Sequence, residues 1–219
     1  MSVQKTVDTR KLIVMALFCA LAFASPALFR IPVVLWLKYD PKDCLLAIGG
    51  MLYGPMAAVL MSVVISLVEM VTISDTGVIG MLMNILSSLL FILPSAILYR
   101  RRRTLTRAII GLAVGALLAT GGMVLWNWLI TPLYMGVPRE AVVDLLLPAF
   151  LPFNLFKTAL NAVLTVLLYK YVVSALRAAR LVPKAEVPTR RGVSAGVFLS
   201  CLFLRASLIL VLLVWRGVL

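Results

Sequence analysis

Long apolar runs separated by short charged gaps occupy most of this chain of 219 residues. The runs cover residues 12–28, 44–68, 77–99, 108–130, 145–173 and 192–215. Most of them approach the roughly 20 residues that a helix needs to cross a hydrocarbon core about 30 Å thick. Hydrophobic residues make up 63% of the chain and the mean hydropathy is +1.10, whereas a soluble domain is nearer half apolar. The pattern therefore predicts an all-α, polytopic membrane protein.

The positive charge of the chain is confined to a few of these gaps. The net charge is +13, and lysine and arginine cluster in residues 5–11, 100–107 and 170–191. In a soluble protein this charge would suggest a nucleic acid partner, but in so apolar a chain the positive-inside rule accounts for it. We therefore expect these gaps to face the cytoplasm, and we expect no nucleic acid partner.

The arginines of residues 100–103 constrain the number of helices. With the N-terminus inside, an even number of crossings must precede them, and counting 44–68 as one helix gives an odd number. A break at Gly54-Pro55 restores the rule, because proline ends or begins a helix. Both halves are short, so we expect the second helix to begin near Pro41 and the pair to be shallow or tilted. The prediction is a six-helix bundle with its N-terminus inside.

The last apolar run, 192–215, is long enough for a further crossing, but Arg205 near its middle is costly in lipid unless it snorkels or pairs. The sequence is compatible both with a seventh membrane span and with a tail that lies on the membrane surface. The chain accordingly divides into a cytoplasmic tail 1–11, a six-helix membrane domain 12–178, a basic linker 179–191 and an extra apolar segment 192–219.

The sixth helix carries polar residues in the middle of an apolar run. Asn154, Lys157 and Asn161 are spaced i, i+3 and i+7, so they share one helical face. An ionisable group on such a face points to a binding site inside the bundle. The alternative is that Lys157 lies near the outer interface and snorkels to the headgroups.

Two earlier helices carry further candidate site residues. Asn127 lies between Trp126 and Trp128 on the fifth helix, where the alternative is an aromatic belt at the interface. Asn84, followed by Ser87 and Ser88 on the fourth helix, is also accounted for by hydrogen bonds between helices.

The first outer gap, residues 29–43, is long, apolar and interrupted by two prolines. A flexible linker would be polar, so we expect this loop to fold back onto the helices and cover a site. It ends in Tyr39 and Asp40: Tyr39 is placed to lie over a ligand, and Asp40 either joins the site or caps the second helix. Asp75 is predicted to cap the fourth helix.

The first helix presents Ala16, Ala20 and Ala24 at intervals of four residues. Such a stripe of small residues lets another helix approach closely and predicts a docking face for a membrane partner, although alanine is common enough for a chance match.

Several kinds of chemistry have no support in the sequence. The chain has no histidine and no phosphate-binding G-x-x-x-x-G-K-[ST] motif, and its three cysteines are scattered. We place the carboxylates in the gaps and expect none in the middle of a helix, which argues against a proton relay. We expect no enzyme, no metal and no cofactor.

Taken together, these residues resemble the substrate-binding S components of energy-coupling factor (ECF) vitamin transporters. The shared features are six helices, the alanine stripe, a first outer loop ending in YD, the GP break and FNxxK on the sixth helix, over roughly residues 10–178. The riboflavin-specific members are the most similar.

The resemblance implies a function for each of these features. Asn127, Asn154 and Lys157 fall where the family contacts the flavin, Tyr39 and Asp40 lie in the covering loop, and the alanine stripe docks on a transmembrane T component driven by two ATPases. Riboflavin would be the transported ligand, and the chain would lie in the bacterial cytoplasmic membrane. A different water-soluble vitamin stays open, because S components for different vitamins share the fold.

Overall fold

The computed structural model describes residues 9–28, 30–34, 37–74 and 76–182, and these ranges are almost entirely helical. The helices are α1 (Thr9–Leu28), α2 (Lys42–Tyr53), α3 (Pro55–Thr72), α4 (Gly77–Arg101), α5 (Leu105–Met135), α6 (Arg139–Leu145) and α7 (Leu151–Ala178), and a π-helical segment (Leu146–Phe150) joins α6 to α7. Because α6, the π-helical segment and α7 continue without a break, they form one stretch, and the predicted all-α bundle of six helices is confirmed. The run 192–215 with Arg205, and Asp75, lie outside the described residues.

Five of these helical stretches are long and apolar enough to cross a membrane: α1, α3, α4, α5 and the stretch from α6 to α7. Their outer faces are apolar, as shown by Val71, Leu117 and Leu133, which are 78%, 63% and 76% exposed. Large exposed side chains of this kind on helix after helix indicate surfaces that face lipid.

The sixth, α2, has only 12 residues, which span about 18 Å. Most of its side chains are buried, so α2 lies inside the bundle and is shielded from lipid by its neighbours. It begins at Lys42, close to the predicted start at Pro41, and ends at the predicted break. Gly54 has φ +93°, a conformation that favours glycine, and Pro55 then opens α3.

Contacts between helix ends define two ends of the bundle. At the arginine end, Lys11 Nζ lies 5.9 Å from the ring centroid of Tyr53, and a Cβ atom added to Gly54 would lie 3.5 Å from Nη1 of Arg100. The starts of α1 and α3 therefore lie beside the end of α4, as the positive-inside rule requires. At the opposite end, which we call the loop end, Tyr39 contacts Phe156 of α7 with ring centroids 6.0 Å apart.

The first outer loop forms a short antiparallel hairpin of β1 (Ile31–Val34) and β2 (Leu37–Tyr39), with Ile31 opposite Tyr39. Tyr39 and Asp40, at its end, are 5% and 8% exposed. The loop thus returns onto the helices, as its apolar composition predicted.

Helices α4 and α5 approach each other unusually closely. A Cβ atom added to Gly115 would lie 2.1 Å from the carbonyl oxygen of Phe91, and one added to Gly111 would lie 2.4 Å from the Cα atom of Ser95. This G-x-x-x-G pair, which the sequence interpretation missed, therefore allows backbone contact between two membrane helices.

Candidate functional site

Polar stripes of α5 and α7 face each other inside the bundle. The hydroxyl groups of Thr120 and Thr158 are 3.3 Å apart. Asn127 lies two turns from Thr120 on the same face of α5, and Asn154 lies one turn from Thr158 on α7, both toward the loop end. Asn127 and Asn154 are 8% and 7% exposed, so their side chains turn inward.

The two amides make hydrogen bonds within their own helices. Asn127 Nδ2 donates to the carbonyl oxygen of Met123 at 2.7 Å, and Thr131 Oγ1 donates to Asn127 Oδ1 at 2.9 Å. Asn154 Nδ2 donates to the carbonyl oxygen of Phe150 at 2.7 Å. Asn161, one turn deeper than Lys157, is 1% exposed, and neither atom of its amide has a hydrogen-bond partner among the described residues.

Lys157 lies between two carboxylates and does not reach toward the surface. Its Nζ atom is 3.5 Å from Asp40 Oδ2 and 4.0 Å from Asp43 Oδ2, and its side chain is 13% exposed. The snorkelling alternative is therefore wrong. Both distances exceed the 2.7–2.9 Å that is usual for a charge-assisted hydrogen bond, so the ammonium group retains donor capacity.

Behind this lysine, charged and polar side chains tie α2 to α3 and α4. Lys42 Nζ donates to Glu69 Oε2 at 2.5 Å, and Asn84 Nδ2 donates to the same oxygen at 3.1 Å. Ser88 Oγ donates to Asp43 Oδ1 at 2.6 Å. Lys42, Asp43 and Glu69 are each at most 3% exposed, so these charges are held almost entirely out of solvent.

Asp40 does not hold the N-cap position of α2. Pro41 holds that position and makes no side-chain cap hydrogen bond. Burial alone would raise the pKa of the Asp40 carboxyl, but Lys157, Lys42 and Arg30 outweigh it and hold that pKa below its ordinary value. Asp40 is therefore ionised at neutral pH, and its Oδ1 atom has no hydrogen-bond partner among the described residues.

Tyr39, beside Asp40, is also enclosed. Burial raises the pKa of its phenol, as do the nearby Cys44, Asp40 and Asp43 to a smaller extent. The phenol is therefore neutral at physiological pH, and its hydroxyl group, like Asp40 Oδ1, is buried without a hydrogen-bond partner in the described part of the chain.

The sequence interpretation missed part of this cluster. It placed every carboxylate in a gap, but Glu69 lies in the last turn of α3 and is buried, which corrects that expectation. Lys42 was not considered and Asp43 was assigned to a gap, although two charged residues that open an apolar helix are themselves a signal. Asn84 was singled out, but its contact is with Glu69 and not with the stripe on α7.

An apolar cavity of about 270 Å³ lies beside the amides, at the loop end. Its lining comes from the end of α5, the turn that follows it, α6 and the π-helical segment. It consists of Thr131, Met135, Val137, Ala141, Val142, Leu145 and Phe150. Thr131 and Phe150 are the hydrogen-bond partners of Asn127 and Asn154. None of the predicted site residues lines this cavity itself, and Asn127 and Asn154 are linked to it through Thr131 and Phe150.

Trp128 and the alanine stripe belong neither to the cavity lining nor to the charged cluster around Lys157. Trp128 is 38% exposed, and Arg139 Cζ lies 5.3 Å from the centroid of its ring. Ala16 and Ala20 are exposed and Ala24 is half-buried, so this face of α1 is not used for packing within the bundle.

Comparison with known proteins gives a family match. The family model described as "ECF transporter, substrate-specific component" matches residues 10–169. A curated relative, the riboflavin transporter FmnP of Bacillus subtilis (strain 168), is 29% identical over 163 residues, which are 68% of this chain and 84% of the relative.

A solved structure has the same fold. It is described as the S component of a bacterial ECF transporter, and it aligns with a TM-score of 0.66 over 78% of this chain and 99% of its own length, at 21% sequence identity.

Proposed function

Because this chain belongs to the substrate-specific components of ECF transporters, we propose that it captures riboflavin or a closely related flavin from outside the cell and presents it for ATP-driven uptake. The family is a transport family, so the chain is a multi-pass membrane protein that binds a substrate and has no enzymatic role in this proposal. Riboflavin is its cargo and not a cofactor, and the membrane is the bacterial cytoplasmic membrane.

The observation that carries the flavin proposal is the position of Lys157, Asn154 and Asn127 on facing sides of α7 and α5 near the loop end. The flavin ring system is flat and apolar, and one edge carries uncharged carbonyls and ring nitrogens. Amide and ammonium groups can donate to that edge, while the faces of the ring need apolar walls. The relative with 29% identity, named as a riboflavin transporter, supports the same ligand.

Ligand entry in this proposal requires Lys157 to exchange partners. The ammonium group is held by Asp40 and Asp43 at 3.5 and 4.0 Å, which are loose contacts, so a ligand carbonyl can replace one of them at a small cost. Asp40 lies at the end of the hairpin, so its displacement moves the covering loop that Tyr39 closes against α7.

A nanomolar dissociation constant for riboflavin corresponds to a binding free energy of about −12 kcal/mol. The apolar cavity of about 270 Å³ is slightly below the usual range for small-molecule sites, about 300–1,000 Å³. The ring of a flavin therefore fills it only if the lining moves. The lining includes residues of the π-helical segment, and π-helical segments are frequent at functional sites.

Transport itself needs partners in this proposal. The chain has no phosphate-binding loop of its own, so the energy comes from two ATPase subunits that act through a transmembrane T component. The exposed Ala16, Ala20 and half-buried Ala24 form the docking face for that component.

The test is a fluorescence titration of riboflavin into the purified full chain, with Lys157→Met and the exposed Lys38→Met as a matched pair. Lys157→Met removes a charge-assisted hydrogen bond, so we expect affinity to fall about 10- to 100-fold, whereas Lys38→Met leaves affinity unchanged. Size-exclusion chromatography establishes that both variants are folded.

If the wild-type chain does not bind riboflavin but binds another vitamin in a panel of water-soluble vitamins, the flavin assignment is wrong and the family assignment stands. Equal affinity of Lys157→Met and wild type would show that Lys157 does not contact the ligand.

A further inference from the structure

A cleft at the arginine end lies on the opposite side of the bundle from the proposed flavin site. Its volume is about 220 Å³, and it is lined by Met51, Leu52, Tyr53, Gly54, Arg100 and Arg103. Arg100 lies at the end of α4 and Arg103 follows that end, and the other four lining residues are the last three residues of α2 and Gly54.

The positive charge around the cleft is uncompensated within the described part of the chain. All described carboxylates lie at the loop end: Asp40, Asp43, Glu69, Glu140 and Asp144. Neither Arg100 nor Arg103 forms an ion pair with any described residue. Lys11 adds a third positive charge, since its Nζ atom lies 5.9 Å from the ring centroid of Tyr53.

A buried donor without a partner lies at the same end of the bundle as the cleft. The hydroxyl groups of Tyr99 and Tyr169 are 2.6 Å apart, so α7 packs beside the end of α4, and Arg177 lies about two turns beyond Tyr169 toward the arginine end. The Nε atom of Arg177 is buried and has no hydrogen-bond partner among the residues that the structure describes. A buried guanidinium donor left unpaired is costly unless an anion or water completes it.

The turn at Gly54 contributes a second electrostatic feature. Gly54 is the N-cap of α3, an 18-residue helix, and no side chain caps that end. The unpaired N–H groups and the positive end of the helix dipole therefore lie on the same side as the arginines, which favours an anion there.

We propose that this cleft binds a phosphate group. Guanidinium groups match phosphate oxygens with paired hydrogen bonds, and Arg100 and Arg103 both line the cleft. The phosphate belongs either to the headgroup of an anionic phospholipid, whose chains would lie along the apolar outer faces of the helices, or to a soluble phosphate compound. Basic pockets between membrane helices on the cytoplasmic side are suited to such headgroups.

The alternative is that these arginines act only through their total charge, as topology signals. The sequence offers a matched control, because Arg101 and Arg102 lie between Arg100 and Arg103 but do not line the cleft. The double variants Arg100→Gln/Arg103→Gln and Arg101→Gln/Arg102→Gln therefore change the net charge equally and differ only in which positions lose their guanidinium groups.

The experiment uses the purified full chain and measures binding of phosphatidylglycerol and of phosphatidylcholine by native mass spectrometry. A second arm measures the rise in melting temperature on addition of inorganic phosphate. We expect wild type to prefer phosphatidylglycerol and the Arg100→Gln/Arg103→Gln variant to bind it at least about tenfold more weakly, while the control double variant resembles wild type. Riboflavin titration of both variants establishes that each is folded.

The two arms separate the sources of the phosphate. Loss of phosphatidylglycerol binding without a response to inorganic phosphate assigns the cleft to lipid, and a response to inorganic phosphate that the Arg100→Gln/Arg103→Gln variant abolishes assigns it to a soluble compound. Equal loss in the two double variants, or no loss in either, overturns the proposal.

Discussion

At the scale of single residues, the main feature is a set of charges held inside an apolar bundle. Lys42 and Glu69 form an ion pair in which each side chain is at most 4% exposed. Removing two charges from water is expensive, and the attraction between them offsets that cost only when the geometry is good and other hydrogen bonds complete it. Asn84 supplies one such bond to Glu69.

We predict that Lys42→Met destabilises the protein by about 3–5 kcal/mol, because it leaves the Glu69 carboxylate buried without its partner. The double variant Lys42→Met/Glu69→Leu removes both charges and should recover most of that loss. Melting temperatures in the same detergent measure both effects. A single variant as stable as wild type would show that the ion pair contributes nothing to stability.

The Asp43 carboxylate connects Ser88 of α4 to the proposed site, since it accepts a hydrogen bond from Ser88 and lies 4.0 Å from Lys157. We predict that Ser88→Ala weakens ligand binding severalfold, because the loss of one hydrogen bond of about 1 kcal/mol lets Asp43 move toward Lys157 and compete with the ligand. Riboflavin titration measures this change in affinity, and Ser87→Ala, at the preceding residue, is the control. If Ser88→Ala instead binds riboflavin more strongly than wild type, the freed Asp43 carboxylate does not compete with the ligand for Lys157.

At the scale of helices, the short α2 accounts for the tolerance of so many charges. A helix of 12 residues cannot cross the membrane alone, and here it is surrounded by longer helices. Its charged first turn is therefore enclosed by protein and does not meet lipid, which is the arrangement that allows ionisable groups in a membrane domain.

The contact between α4 and α5 gives an element-scale prediction. Gly115→Ala places a methyl group 2.1 Å from the Phe91 carbonyl oxygen, so the helices must separate, and we expect a loss of about 1–3 kcal/mol. Gly121→Ala on the same helix is the control: nothing lies within 4 Å of its added Cβ atom, so stability should be unchanged or slightly higher.

Thermal unfolding of both glycine variants measures the difference. If Gly115→Ala melts at the same temperature as Gly121→Ala, the backbone contact between α4 and α5 does not limit the stability of the bundle.

At the scale of the whole molecule, the two ends of the bundle differ in charge. The described carboxylates are gathered at the loop end, with the lysines that pair with them, and no carboxylate among the described residues compensates the positive charge of the arginine end. This polarity agrees with the positive-inside rule and places the proposed capture site and the proposed phosphate cleft on opposite sides of the membrane.

The exposed face of α1 gives a prediction about assembly. We expect Ala20→Trp to abolish co-purification with a T component and its ATPases, because a bulky side chain prevents close helix approach, and to leave riboflavin affinity unchanged. Ala113→Trp, on an exposed position of α5, is the control for a bulky residue in lipid. Co-purification of Ala20→Trp at the wild-type level would exclude this face from docking.

The sequence by itself determined the fold and the helical face that the polar residues of α7 share. Hydrophobic run lengths, the arginines of residues 100–103 and the Gly54-Pro55 dipeptide were sufficient for six helices, since lipid requires long apolar helices and proline interrupts them. Helical periodicity likewise put Asn154, Lys157 and Asn161 on one side of α7.

Only the tertiary structure decided which groups meet on that side. Asp40 and Lys157 are far apart in the chain, and so are Lys42 and Glu69. Which charges pair depends on the order and rotation of the packed helices, and a local sequence pattern predicts neither of these. An ammonium group that points inward can pair with a carboxylate of the protein or donate hydrogen bonds to a ligand. The same helical spacing in the sequence is compatible with either arrangement. The positions of Asp40 and Asp43 beside Lys157 could therefore be known only from the fold.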